Sequence, residues 1–194
     1  MNTETFANTN IGNIFIRIIA AIMESRFRYQ FFSPAKILQG ADIQPGQVVL
    51  EIGCGTGYFT LTAAKIIGDK GSLMAMDVLQ MSVDYVIKKV QDAHLNNVQV
   101  VKGDALNTML DAESLEAVLV FGVIPAPMLP TNLLMPEIYR ILKPGGMLAV
   151  WPPSWTHQEI LRTGLFTYSN KKNGVLNYRR SLTQAQSLPS LGIK

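Results

Sequence analysis

The sequence holds one cysteine and two histidines in 194 residues. A single thiol, Cys54, excludes an intramolecular disulfide and any cysteine-built metal cluster, and His94 and His157 are too far apart in sequence to make a metal site without one. Charge is sparse too: 16% of residues are Asp, Glu, Lys or Arg against 48% hydrophobic. That excludes a disordered polyelectrolyte and describes a rather apolar globular chain of single-domain length. Long hydrophobic runs are missing. The most apolar stretch, Ile14 to Met23, contains Arg17 and falls well short of the roughly 18 residues that a bilayer span needs. The segment MNTETFANTN carries no basic residue of the kind a secretory leader uses, so the expected location is cytoplasmic. Internal repeats and low-complexity segments are absent from the sequence.

What charge there is lies unevenly. The net charge is +3, and from Trp151 onward Arg162, Lys171, Lys172, Arg179, Arg180 and Lys194 face a single acid, Glu159. A basic end of this kind is a solubilising rim, or else a contact for nucleic acid or an anionic membrane surface.

Residues 11–32 read as a largely apolar helix ending before Ser33-Pro34, and Pro34 to Ala41 as a second, short one. Beyond the turn Gln44-Pro45-Gly46 the pattern alternates. Val48 to Ile52 is a short β-branched run stopped by glycine, as a buried parallel strand should be. A helix over Tyr58 to Ile67 follows, then a strand over Ser72 to Met76. Val83, Val86, Ile87 and Val90 then share one face of a helix over Ser82 to His94. Strands are expected at Val98 to Val101 and Leu115 to Phe121, a helix at Thr131 to Leu142, a turn at Lys143-Pro144-Gly145-Gly146 and a fifth strand at Met147 to Trp151. This succession predicts a parallel sheet covered by helices on both faces. The last part differs: after a helix over Ser154 to Thr163, Leu165 to Ser169 and Val175 to Arg179 flank Asn173-Gly174, a hairpin signal.

The sharpest feature is Glu51-Ile52-Gly53-Cys54-Gly55-Thr56-Gly57, between the first strand and its helix. In an open α/β sheet this turn faces the ligand crevice beyond the carboxyl ends of the strands. The dinucleotide fingerprint G-x-G-x-x-G would require glycine at position 58, where Tyr58 stands. A bulky side chain there obstructs a pyrophosphate, so the spacing G-x-G-x-G behind an acid suits a ligand without phosphates.

This stretch, VVLEIGCGTGYFT, resembles the first motif of class I S-adenosylmethionine-dependent methyltransferases. Leu142 to Gly146 is also similar to the quinone and small-molecule C-methyltransferase branch (a type 11-like domain). The resemblance implies a Rossmann-like, seven-stranded sheet, mostly parallel, with its last strand antiparallel in the C-terminal hairpin. It divides the chain into a helical lid or substrate segment (1–32), the methyltransferase domain (33–180) and a loose tail (181–194). It implies S-adenosylmethionine as cofactor, wrapped at its methionyl end by Gly53, Cys54, Gly55, Thr56 and Gly57. Glu51, odd for a charge inside a strand, would lie near the cationic end of that ligand. Asp77 would accept from the ribose hydroxyls and Val78 lie against the adenine, although Asp77 could instead cap the following helix. Asp104, in Lys102-Gly103-Asp104-Ala105, would read the adenine amino group, unless it only forms an Asx turn. Phe121 closes the expected cofactor set.

Methyl transfer needs little general acid–base help, and no strong base is apparent. His94 belongs on the surface, and His157 lies nearer the acceptor side. Adenine methylation would need Asp/Asn-Pro-Pro-aromatic after strand four, where Phe121-Gly122-Val123-Ile124-Pro125 stands, and arsenite chemistry would need several thiols. Cys54, in the cofactor loop, cannot serve as the nucleophile of pyrimidine C5 methylation. The expected acceptor is therefore small and apolar or lipid-like, held by Tyr29, Phe32, Trp151, Trp155 and His157. Peripheral membrane contact and a homodimer are compatible with the apolar N-terminal helix. The competing readings are a SAM-binding subunit without catalysis and an RNA or DNA methyltransferase.

Overall fold

The computed structural model describes residues 33–123, 129–152 and 156–182. Ser33 caps α1 (Pro34–Leu38), with proline at the first helical position where its missing N–H costs nothing. The elements then run β1 (Val48–Ile52), α2 (Thr60–Ile67), β2 (Ser72–Asp77), α3 (Gln80–Asp92), β3 (Val98–Lys102), β4 (Leu115–Phe121), α4 (Thr131–Ile141), β5 (Leu142–Trp151), α5 (Thr156–Arg162), β6 (Phe166–Lys172) and β7 (Val175–Arg180). They form a seven-stranded sheet in the order β3-β2-β1-β4-β5-β7-β6. The first five strands pair in parallel, and β7 is antiparallel to both neighbours.

The expected Rossmann-like sheet is thus present, and its near-continuous apolar strands are explained by burial on both faces. On one face Val49, Leu119 and Ala149 pack under α1 and α2 through Leu38, Ala63 and Ile67, while Ala75 meets Val86 and Val90 of α3. On the other, Ile52, Val120 and Leu148 pack under Leu134 and Ile138 of α4 and Ile160 of α5.

One local expectation changes. Residues 143–146 do not separate β5 from a preceding turn: Leu142 already pairs with Leu115, and pairing resumes at Ala117 and Met147. The stretch bulges out of the ladder because Leu142 is fully buried and Lys143 pairs with Glu116 on the facing strand.

Asn97 ties the layers at the base of the sheet. Its side-chain amide donates to the carbonyls of Ala64 and Gly68, at 2.8 and 3.0 Å, at the C-terminal end of α2, where the Ala64 carbonyl also accepts from Gly68 N–H. Asn97→Ala is expected to cost about 1–3 kcal/mol, read in a thermal melt as a fall of roughly 2–10 °C. A midpoint within a degree of wild type would mean that water serves these carbonyls equally well.

At the opposite end of the sequence, the hairpin clasps the segment around α1. Asn177, buried in β7, donates to the Gly40 carbonyl at 2.7 Å, Asn173 donates to that of Lys36, and Asn170 and Lys172 reach Asp42.

Candidate functional site

The carboxyl ends of β1, β2 and β3 are stitched into one rim. Gly53 N–H and Cys54 N–H both donate to the Met76 carbonyl, and Gly103 N–H donates to that of Asp77. Glu51, Gly53, Cys54, Gly55, Thr56, Gly57, Asp77, Val78, Asp104 and Ala105 therefore lie along one edge, with Phe121 ending the adjacent β4.

The turn after β1 is shaped by glycine. Gly53 has φ +71° and touches Val123: a Cβ there would stand 2.4 Å from its Cγ2. At Gly55, with φ +53°, a Cβ would meet nothing among the described residues nearer than the Gly53 carbonyl at 4.0 Å, so none of them crowds this peptide. Cys54 turns the other way. Its thiol is packed with Ala75, Val86 and Val90, and burial pushes its pKa up, so it contributes backbone to the turn rather than a reactive sulfur.

Two carboxylates lie under the rim. Glu51 is 2% exposed and accepts a 2.6 Å hydrogen bond from Thr60 Oγ1 at the start of α2. Burial, with repulsion from Asp77 added, pushes its pKa up to about 8 in spite of that bond. Asp77 is also buried. Its Oδ2 accepts from Gly55 N–H at 2.8 Å and its Oδ1 from Leu79 N–H at 2.9 Å. The cap residue of α3 is Leu79 rather than Asp77, and the second bond ties the chain leading into that helix. Burial raises its pKa, and the backbone donors partly offset the shift.

Beyond them Val78 is 39% exposed at the rim, unusual for valine. Asp104 is exposed and accepts from Leu106 N–H at 2.9 Å, the Asx-turn geometry expected of a loop aspartate, while Ala105 is buried. Phe121 is buried edge-to-face against Phe59, with ring centres 5.0 Å apart, and Trp151 packs on the same ring at 5.7 Å.

His157 is not brought to this rim. It lies on α5, with Nδ1 2.7 Å from the Tyr178 hydroxyl and its ring against Tyr168. Tyr178 is paired with Leu148, inside the sheet rather than at its edge, so the hairpin claims this imidazole. Tyr29, Phe32 and Trp155 lie outside the described residues, as does the segment 1–32. Sequence reasoning missed Phe59, Thr60 and Val123. Phe59 and Thr60 directly follow Gly57-Tyr58, where an aromatic and a hydroxyl at a helix start read as ordinary packing and capping.

A family model described as a methyltransferase domain matches residues 49–146, half of the chain. The chain belongs to this family. Its glycine turn, acids and strand order are those of the class I S-adenosylmethionine-dependent methyltransferases that the sequence resembles. Among similar proteins is the demethylmenaquinone methyltransferase of Lactobacillus johnsonii, 28% identical over 153 residues, covering 78% of this chain and 59% of that one. The demethylmenaquinone methyltransferase of Staphylococcus epidermidis is 32% identical over 113 residues, covering 58% and 45%. The chain thus spans about half the length of these relatives. The fold is also that of a SAM-dependent methyltransferase from Aquifex aeolicus, with a TM-score of 0.69 at 21% identity, covering 86% of this chain and 96% of that one.

The rim's chemistry fits this cofactor. A ligand with a sulfonium and an ammonium relieves the repulsion between Glu51 and Asp77, and the bare Gly55 peptide lets it approach the backbone. The Thr56 hydroxyl, buried in the same turn, has no partner among the described residues.

Proposed function

We propose that this chain transfers a methyl group from S-adenosylmethionine to a small hydrophobic acceptor of the quinone type. The observation that carries the reading is the join between Asp77 and Gly55: a buried carboxylate at the end of β2 holds the glycine turn by its backbone. Such a group, at the crevice edge, is ready to accept from vicinal hydroxyls. In this reading Asp77 holds the ribose, Val78, Asp104 and Ala105 face the adenine, and Glu51 with the turn 53–57 accommodates the methionyl end.

Bound S-adenosylmethionine supplies an activated methyl group. The residues of the chain orient the two reactants and exclude water, and positioning of that kind can contribute roughly 7–11 kcal/mol. Phe121, Phe59 and Trp151 form an apolar wall at the ends of β4 and β5, where a flat apolar acceptor would lie. Residues 1–32 are proposed as a lid on that acceptor, and the name of the relatives points to demethylmenaquinone as the compound to try first. The acceptor could reach the crevice from a membrane surface; among the described residues no helix is long and apolar enough to cross one.

The test is incubation of the purified protein with methyl-labelled S-adenosylmethionine and demethylmenaquinone, offered oxidised and reduced. Label extracted with the quinone is the expected result. Calorimetric binding of S-adenosylhomocysteine without transfer to either form would leave the cofactor reading standing and remove the quinone acceptor. A thermal shift with NAD and none with S-adenosylmethionine would remove both.

A further inference from the structure

The glycine turn is held from a second side, by α3. Val86, fully buried, lies under Gly57, where a Cβ would stand 3.2 Å from Val86 Cγ2. One helical turn further on, the Lys89 ammonium donates to the Thr56 carbonyl at 3.0 Å across 33 positions of sequence. Lys89 also lies over the Tyr85 ring, with Nζ 5.0 Å from its centre, a contact that narrows the arc its long stem can sweep. None of the reacting groups requires a cation at this place, and the bond runs from a half-buried side chain to main chain.

We propose that Lys89 is a positioning residue for the cofactor, fixing the peptide at Thr56 so that the turn is already in its binding shape. The inference rests on the reading of this turn as the S-adenosylmethionine site. Its physical ground is the composition of the turn. Gly55 and Gly57 flank Thr56, and glycine loses more conformational freedom on ordering than any other residue. Asp77 holds one side of Thr56 through Gly55 N–H, Val86 supports the other side through Gly57, and Lys89 fixes the carbonyl between them. A turn arrested at three consecutive residues loses little freedom when the ligand arrives, and that saving appears as affinity.

Three proteins separate this role from simple packing: wild type, Lys89→Met, which keeps an apolar stem but no donor, and Lys89→Arg, which restores a charged donor. Calorimetry with S-adenosylhomocysteine should give binding about tenfold weaker in Lys89→Met, the loss of one decade or roughly 1.4 kcal/mol, and within about threefold of wild type in Lys89→Arg. Thermal midpoints of the free proteins should agree, and the backbone amide resonances of Thr56 and Gly57 should shift in the methionine variant and return in the arginine variant. Equal affinity in wild type and Lys89→Met overturns the positioning role alone. So does a weakened Lys89→Met with a lowered midpoint that arginine fails to restore. Failure of wild type itself to bind overturns the reading of the turn, and this inference with it.

Discussion

Asp77→Ala is expected to weaken S-adenosylhomocysteine binding at least a hundredfold and to lower the melting midpoint of the free protein. The affinity loss follows from the proposed pair of ribose hydrogen bonds, each worth roughly 1.5–3 kcal/mol when the acceptor is charged, with about 1.4 kcal/mol to the decade. The loss of stability has a separate origin. Both carboxylate oxygens already serve backbone donors, Gly55 N–H and Leu79 N–H. Alanine leaves these without their partner at a site only 7% exposed, at a cost of about 1–3 kcal/mol each. The second loss also loosens the start of α3, from which Val86 and Lys89 support the turn. Calorimetry and a thermal melt read the two effects independently. Unchanged affinity would take Asp77 out of the cofactor site, whatever the melt gave.

The second large effect is on pH. Glu51 has its pKa raised from the ordinary 4.5 to about 8 in the folded chain. The folded state therefore holds a proton that the unfolded state has released throughout that interval. Stability from this group is fully present below about pH 4.5, falls as pH rises through the window, and levels off above about 8. One proton corresponds to roughly 1.4 kcal/mol per pH unit, so two units inside the window remove about 3 kcal/mol, or roughly 5–10 °C of midpoint. Glu51→Gln, which keeps the shape and a partner for Thr60, should lose that slope and melt higher than wild type at pH 8. Saturating S-adenosylmethionine should flatten the wild-type slope as well, since a bound cation favours the ionised carboxylate. Parallel melting curves for wild type and Glu51→Gln from pH 5.5 to 7.5 would show that Glu51 is already ionised when the chain is folded.

Much of this architecture can be read from residue order because β1, β3 and β4 are apolar runs with β-branched residues closed by glycine, β2 is closed by an acid, and Asn173-Gly174 marks the hairpin. The acids at 51 and 77 stand out for a physical reason: a charge at the end of an apolar strand needs a partner. What stayed hidden depends on approach between distant segments. Nothing local announces that Val123 would lie on Gly53, that Lys89 would reach Thr56, or that Thr60 would serve Glu51. The contacts of His157 are hidden from the sequence for the same kind of reason. Its position after β5 suggests the acceptor side, and nothing local shows that Tyr178 and Tyr168 of the hairpin would hold the ring. The bulge at 143–146 could not be separated from a turn by composition alone, since proline and glycine mark both.

The strand order has a consequence for how the chain can be made. β7 is the last strand in sequence among the described residues, yet it lies between β5 and β6. During synthesis β6 emerges with no neighbour to pair with, and the outer edge of β5 stays open until residues 175–180 leave the ribosome. The clasp from Asn177 to Gly40 waits for the same event, across 137 positions. A nascent chain halted before Val175 therefore presents a bare sheet edge, a detached strand and a segment around α1 that lacks its bond from Asn177. Closing this side of the sheet is therefore a late step that depends on the six residues of β7.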